Sequence, residues 1–238
     1  MRSLLIRLAI LAALLCPGLS AAISRVNITE SGAFSATSRS PATPTSCATN
    51  DILVYFLVTN NDHTISDYAT NGFTEREKSV LASTGFSVAT RLHDGASSSY
   101  TFTFNGATEV GLDVLVCYTG SDTSTPFDLD GIESGATPHT TAAITPNNND
   151  SMLVGAIFVD PTGTQNCTEV SGFPMFSEQH DGANASLCLA EKLQTTATSE
   201  GIQFTTDAST WGEYTMAIKP GAAAAAFPAG ILNNPLTF

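Results

Sequence analysis

Apolar and polar positions along the chain fall into short blocks that read as strands. Ile52-Leu53-Val54-Tyr55-Phe56-Leu57-Val58 and Met152-Leu153-Val154-Gly155-Ala156-Ile157-Phe158-Val159 are apolar throughout, the pattern of central strands covered on both faces. Tyr100-Thr101-Phe102-Thr103-Phe104 alternates strictly, aromatics on one side and threonines on the other. Ile202-Gln203-Phe204-Thr205 repeats that alternation, which marks half-buried strands. Clusters of Gly, Asn, Asp and Ser lie between the blocks and supply turn chemistry. Thr74-Glu75-Arg76-Glu77-Lys78-Ser79-Val80-Leu81 is the one stretch that also fits a short helix.

The blocks occur twice. Asn50-Asp51 opens the first apolar run and Asn149-Asp150 the second, and each following loop ends in Gly-Phe, at Gly72-Phe73 and Gly172-Phe173. Phe86 to Leu92 then matches Leu187 to Leu193, and Val110 to Val116 matches Trp211 to Ala217, with offsets between 99 and 101. Strands this amphipathic need a second layer. The expected fold is therefore all-β: a two-sheet antiparallel β-sandwich, jelly-roll-like, whose pseudo-repeated halves interleave because neither shows much core of its own.

The N-terminus reads differently. Arg2 and Arg7 precede a nine-residue apolar run, Leu8 to Cys16; Pro17-Gly18 follows, and Ser20-Ala21-Ala22 offers small residues for cleavage. These are the parts of a secretory signal in order, and the run falls short of the ~20 residues that span a bilayer. Predicted organisation is a signal over 1–22, one β-sandwich domain over 23–220 with halves at about 23–135 and 136–220, and an Ala-rich linker and tail over 221–238. That tail, with five alanines at 222–226 before Ile231 to Phe238, is a candidate for self-association.

Composition narrows the partners. The net charge of −13 becomes −15 once Arg2 and Arg7 are removed, and such a surface repels phosphate backbones. Nucleic acid is not an expected partner, and no later segment is apolar enough to span a membrane. Abundant Ser, Thr and Asn resist helix and suit an extracellular β protein. Four cysteines remain after processing, Cys47, Cys117, Cys167 and Cys188, and an even count in an exported chain favours two disulfides. Cys167 and Cys188 flank a short segment that folds back on itself, leaving Cys47 for Cys117. Asn27, Asn149, Asn166 and Asn184 each head an N-x-S/T triplet, a glycan acceptor if the source is eukaryotic.

Cys117-Tyr118-Thr119-Gly120-Ser121-Asp122-Thr123-Ser124-Thr125-Pro126-Phe127-Asp128, the opening N-D-x-L-V strand and the aromatic strand ending in Lys219-Pro220 resemble a diffuse group of jelly-roll modules. Those modules occur in secreted bacterial proteins and phage tail or surface proteins. The resemblance covers roughly 47–220 and implies a sandwich fold in a surface or adhesive setting, with no catalytic residues to carry over.

Candidate chemistry is sparse. His93-Asp94-Gly95-Ala96 and His180-Asp181-Gly182-Ala183 pair an imidazole with a carboxylate, but Asp-Gly is foremost a tight-turn signal. Asp122, Asp128 and Asp130 lie in one predicted loop ending at Gly131, where clustered oxygens would hold a structural Ca²⁺; no other cofactor is implied. Trp211 reads as core, while Tyr55, Tyr68, Tyr100, Tyr118 and Tyr214 are candidates for a sugar-stacking platform. G-x-S-x-G and H-E-x-x-H are absent, and Glu75 with Glu77, or Glu191 with Glu200, are the carboxylate pairs a glycosidase would need. The expectation is a secreted, non-enzymatic binding or adhesion module that contacts an extracellular glycan or surface protein. A jelly-roll polysaccharide hydrolase or lyase is the alternative, and a virion or filament subunit assembling through its tail is the third.

Overall fold

The computed structural model describes residues 22–81, 84–105, 108–134, 139–140, 143–159, 166–182, 185–206 and 211–222. The predicted signal up to residue 21, Asn184 and most of the tail lie outside them. Among the described residues there are sixteen strands and no helix. In order these are β1 Ser24–Glu30, β2 Phe34–Ala36, β3 Ser38–Arg39, β4 Ile52–Thr59, β5 Thr74–Leu81, β6 Thr84–Leu92, β7 Phe102–Thr103 and β8 Glu109–Thr119. Then come β9 Phe127–Ser134, β10 His139–Thr140, β11 Ser151–Val159, β12 Thr168–Glu169, β13 Met175–Asp181, β14 Ala185–Gln194, β15 Gln203–Thr205 and β16 Trp211–Ile218. The stretch that also fitted a helix is β5: it pairs antiparallel with β6, and those backbone bonds outweigh the local helical preference of Glu, Arg and Lys.

Two large antiparallel sheets make the sandwich. One is six-stranded, β1-β8-β4-β6-β5 with β2 also on β8; the other is five-stranded, β13-β14-β11-β16-β9. Read from β9, the second sheet has the order of the first with β4 set against β11. Register gives the counterparts: Val54 pairs with Thr90 and Val116, and Val154 pairs with Glu191 and Met216.

Each sheet is built from its own continuous stretch of chain, so the halves do not interleave as a jelly roll would. The boundary also moves. β9 belongs to the second sheet through its pairing with β16, so the chain passes between the sheets over residues 120–126 and not at 135. The reason is that each half does have a core of its own.

Between the sheets lie Val54, Phe56, Val114, Val154, Met216 and their neighbours, with Phe86 stacked on Phe158 at 3.9 Å. On the far face of the first sheet, Leu53, Tyr55, Leu57 and Leu115 are covered by Tyr68, Phe73, Tyr100 and Phe102 from the connecting segments. On the far face of the second, Leu153 and Ile157 are covered by Ile144, Phe173, Ile202 and Phe204. The short ladders β3-β7 and β10-β15-β12 carry these outer layers. Burying each such side chain is worth about 1.5–3 kcal/mol, and double coverage is why β4 and β11 are apolar at every position.

The four long edge strands of the two sheets are guarded. Pairing is interrupted by a register shift in β1 between Arg25 and Asn27, in β5 between Glu75 and Glu77, in β13 between Met175 and Ser177, and at β9 opposite Met216 and Ile218. Bulges and charges on edge strands discourage further strand addition.

Candidate functional site

Disulfides join Cys47 to Cys117 and Cys167 to Cys188. Asp51 sits beside the first, accepting a bond from the Ala48 amide at 2.7 Å, with its Oδ2 3.7 Å from Cys117 Sγ. Among the described residues, Cys47, Asp51 and Cys117 are the one group of three whose ligand atoms lie within 4.8 Å of one another, and the disulfide occupies both sulfurs.

The predicted calcium loop is not assembled. Asp128 and Asp130 lie on β9, and only Asp122 precedes it. Asp122 accepts bonds from the Ser124 hydroxyl at 2.7 Å and from the Thr125 and Ser124 amides, and it pairs with Lys219 at 3.1 Å, which together hold its carboxyl well below the usual range. Asp128 accepts from Asn147 and Asn148. Asp130 accepts from Arg76 at 3.1 Å and from the Tyr214 hydroxyl at 3.3 Å. Three carboxylates that neighbour one another in sequence serve three different anchors, because the bulged strand sends them to different partners.

The tyrosine platform is likewise overturned. All five tyrosines and Trp211 are buried, and each tyrosine hydroxyl is spent inside the protein. Tyr55 donates to Asp113 at 3.2 Å, Tyr118 to Glu191 at 2.8 Å and Tyr214 to Asp130. Tyr100 meets His93 Nδ1 and Tyr68 meets Ser87, both at 2.9 Å. Burial raises the Asp113 carboxyl, and Arg39 beside it at 2.9 Å works the other way. Glu191 is also raised by burial, against Tyr118 and against Arg25 at 3.6 Å.

Both His-Asp-Gly motifs are turns. Gly95 and Gly182 have φ of 77° and 50°, and Asp94 caps the turn by accepting from the Ala96 and Ser97 amides at 2.9 Å. His180 bonds Ser186 and Glu178 within the β13-β14 hairpin. The glycosidase pairs do not converge either. Glu75 and Glu77 flank the β5 bulge, Glu191 is taken by Tyr118 and Arg25, and Glu200 accepts from Lys192 at 2.8 Å. Asn27, Asn149 and Asn166 are exposed.

One nucleophile–base geometry has no signal in sequence spacing. His63 Nε2 lies 2.9 Å from Ser87 Oγ, and His63 Nδ1 lies 2.6 Å from Thr59 Oγ1. Ser87 is only 1% exposed and His63 3%. Burial, helped by Lys78, lowers the imidazole to about 4, so it is neutral and both nitrogens are bonded.

The chain matches no family model, no curated protein and no solved structure.

Two of the grooves on the described surface border β5. One, about 410 Å³, lies between the 65–73 segment and β5 and is lined by Ile65, Tyr68, Phe73 and Glu75, among others. The other, about 380 Å³, lies at the seam between the sheets and is lined by Thr74, Arg76, Thr90, Arg91, Leu92 and Phe127, among others. Its arginines are held against rings: Arg76 over Phe127 at 4.8 Å and Arg91 over Tyr100 at 4.7 Å. Among the described residues, no helix is long and apolar enough to cross a membrane.

Proposed function

We propose that this is an exported, non-catalytic β-sandwich that acts by binding at its surface, as an adhesion or glycan-contact module, and that its two sheets derive from one duplicated half. The observation carrying the non-catalytic reading is the state of Ser87 and His63. The pair has the spacing of a nucleophile and its base, yet it is sealed beneath the outer layer, capped by the Tyr68 hydroxyl and bonded on every side. The buried tyrosines and the acids they bond hold the frame in place of facing a substrate. Two disulfides fit an oxidising compartment, in keeping with the signal-like N-terminus, and exposed sequons suit the same route in a eukaryotic source. Duplication is supported by the matching strand order and by bulges at corresponding points of β5 and β13.

A glycan array with the protein lacking residues 1–22, run with and without calcium, tests the reading. Saturable binding to a subset of glycans supports it. Covalent labelling of Ser87 by a fluorophosphonate, or release of new reducing ends from a polysaccharide, overturns it in favour of a hydrolase. Absence of binding in both conditions overturns the glycan-contact part and favours a structural subunit.

A further inference from the structure

The two seams between the sheets are built from the same parts placed differently. At one seam Arg25 of β1 lies over Phe176 of β13, 4.2 Å from the ring centre. At the other, Arg76 of β5 lies over Phe127 of β9. Register makes Phe127 the counterpart of Arg25, since Arg25 faces Tyr118 and Phe127 faces Ile218, and the bulges make Phe176 the counterpart of Arg76. Cation and ring have simply exchanged places.

What fills each seam differs. At the Arg25 seam, Glu191 extends between the sheets, fixed by the Tyr118 hydroxyl and facing the guanidinium. The counterpart of Glu191 at the Arg76 seam is Thr90, and the counterpart of Tyr118 is Ile218, so no side chain of that length enters from β6. The groove of about 380 Å³ is found there, within the size range of small-ligand sites.

Its donors are not used up. Arg76 gives one Nη2 hydrogen to Asp130; its Nε is buried and without an acceptor among the described residues, and the exposed end of the guanidinium is what faces the groove. A guanidinium offers five donors in a fork that matches a carboxylate. The Arg76–Asp130 pair is part-exposed, its side chains at 27% and 33%, and solvent screens such a pair; Asp130 therefore yields a donor readily. Of the seven Lys and Arg left when Arg2 and Arg7 are set aside from nine, two line this one groove. Arg91 is already committed to the Leu92 and Asn71 carbonyls and to Asp94, so Arg76 is the donor, and its stacking on Phe127 limits the entropy lost when it grips a ligand.

We propose that this groove binds the carboxylate of a small ligand, Arg76 taking the charge and Thr74 and Thr90 standing beside it, as Glu191 does for Arg25 within the chain. The inference rests on the binding reading above and names its ligand class: a uronic acid sugar or an acidic amino-acid side chain.

Titration calorimetry of the protein lacking residues 1–22 with glucuronate, N-acetylglutamate and glucose tests it. The expected result is saturable binding of a carboxylate ligand with Kd of about 1 mM and no binding of glucose. The preferred acid names the source. Arg76→Gln should weaken binding about tenfold, while Arg25→Gln at the opposite seam leaves it unchanged. Thr90→Glu should abolish it by supplying the carboxylate from within, and a circular dichroism melt confirms that each variant is folded. Equal uptake of glucose, no saturable binding of either acid up to about 10 mM, or an unaltered Kd in folded Arg76→Gln overturns the proposal. Those outcomes leave the array result standing, so failure of the groove and failure of the binding reading are separable.

Discussion

The two outer layers cover equivalent faces of equivalent sheets but are fastened by different means. In the first half the segment between β4 and β5 is held by hydrogen bonds: His63 and Tyr68 both meet Ser87 on β6. In the second half the segment between β11 and β13 is held covalently, by Cys167 to Cys188 on β14. The anchors occupy one position, for Ser87 pairs with Leu57 and Cys188 with Ile157. Other positions diverge in the same way. Asp113 and Glu213 are both fully buried acids on the strand next to the centre, whereas Tyr55 is replaced at its counterpart by Gly155. Strand order and inter-sheet core set the frame, and the attachment of the covering layer is free to vary.

The largest expected effects come from the covalent pins. Disulfides act mainly by restricting the unfolded chain, more so for longer loops. Cys47–Cys117 closes a separation of 70 residues and Cys167–Cys188 one of 21. Replacing each pair by alanines should therefore cost about 4 and about 3 kcal/mol respectively, measured by urea denaturation. The comparison sharpens in hydrogen exchange: loss of Cys167–Cys188 should free amides of the second outer layer while leaving those around Tyr68 protected. Uniform loss of protection in both halves would show that the layers are not independent.

The next effect belongs to the hydrogen-bonded pin and depends on pH. His63 is lowered to about 4 by burial, from about 6.5 in the unfolded chain. A lowered base favours the folded state fully above pH 6.5, and that contribution is lost as pH falls toward 4, because the unfolded chain takes up the proton first. The shift corresponds to about 3 kcal/mol, confined to the first half. Asp113 and Glu191 are raised by burial, so their contribution has the opposite sign and favours folding as pH falls. Subtracting the profile of His63→Gln from that of the native protein isolates the histidine. The difference should decline between pH 6.5 and 4, and the first outer layer should exchange before the second. A flat difference would mean that His63 does not hold the layer.

How much of this was legible in the sequence follows from distance along the chain. The strands were, because Ile52 to Val58 and Met152 to Val159 carry their burial in their own pattern. The disulfide pairing was too, since Cys167 and Cys188 are close enough to pair locally. The tyrosine anchors were not: Tyr55–Asp113, Tyr118–Glu191 and Tyr214–Asp130 join residues 58, 73 and 84 positions apart, with nothing in the spacing to connect them. The expected interleaving failed for a related reason. Phe73 read as the end of a loop and Tyr100 and Phe102 as one face of a half-buried strand, yet together they form the lid that gives the first half its own core. The seam groove depends on exchanged partners on four strands and has no linear signature.

The smallest effect tests the exchange of Tyr55 for Gly155. In the first half the Tyr55 ring fills the space beneath the outer layer, stacked on Phe102 at 4.3 Å. In the second half there is no ring, and Ile202 descends instead: a β-carbon on Gly155 would overlap its Cδ1 and lie 3.2 Å from its Cβ. Ile202 is fully buried, so it has little room to withdraw. Gly155→Ala should therefore cost about 1–3 kcal/mol as overpacking, despite adding strand propensity. Ile202→Val removes the clashing methyl, and the double variant should recover part of the loss, a coupling of about 0.5 kcal/mol or more. Thermal melts of the two single variants and the double variant measure it. Additive losses would mean that Gly155 is small for its backbone and not for Ile202, and the two halves would then differ in packing without compensating for it.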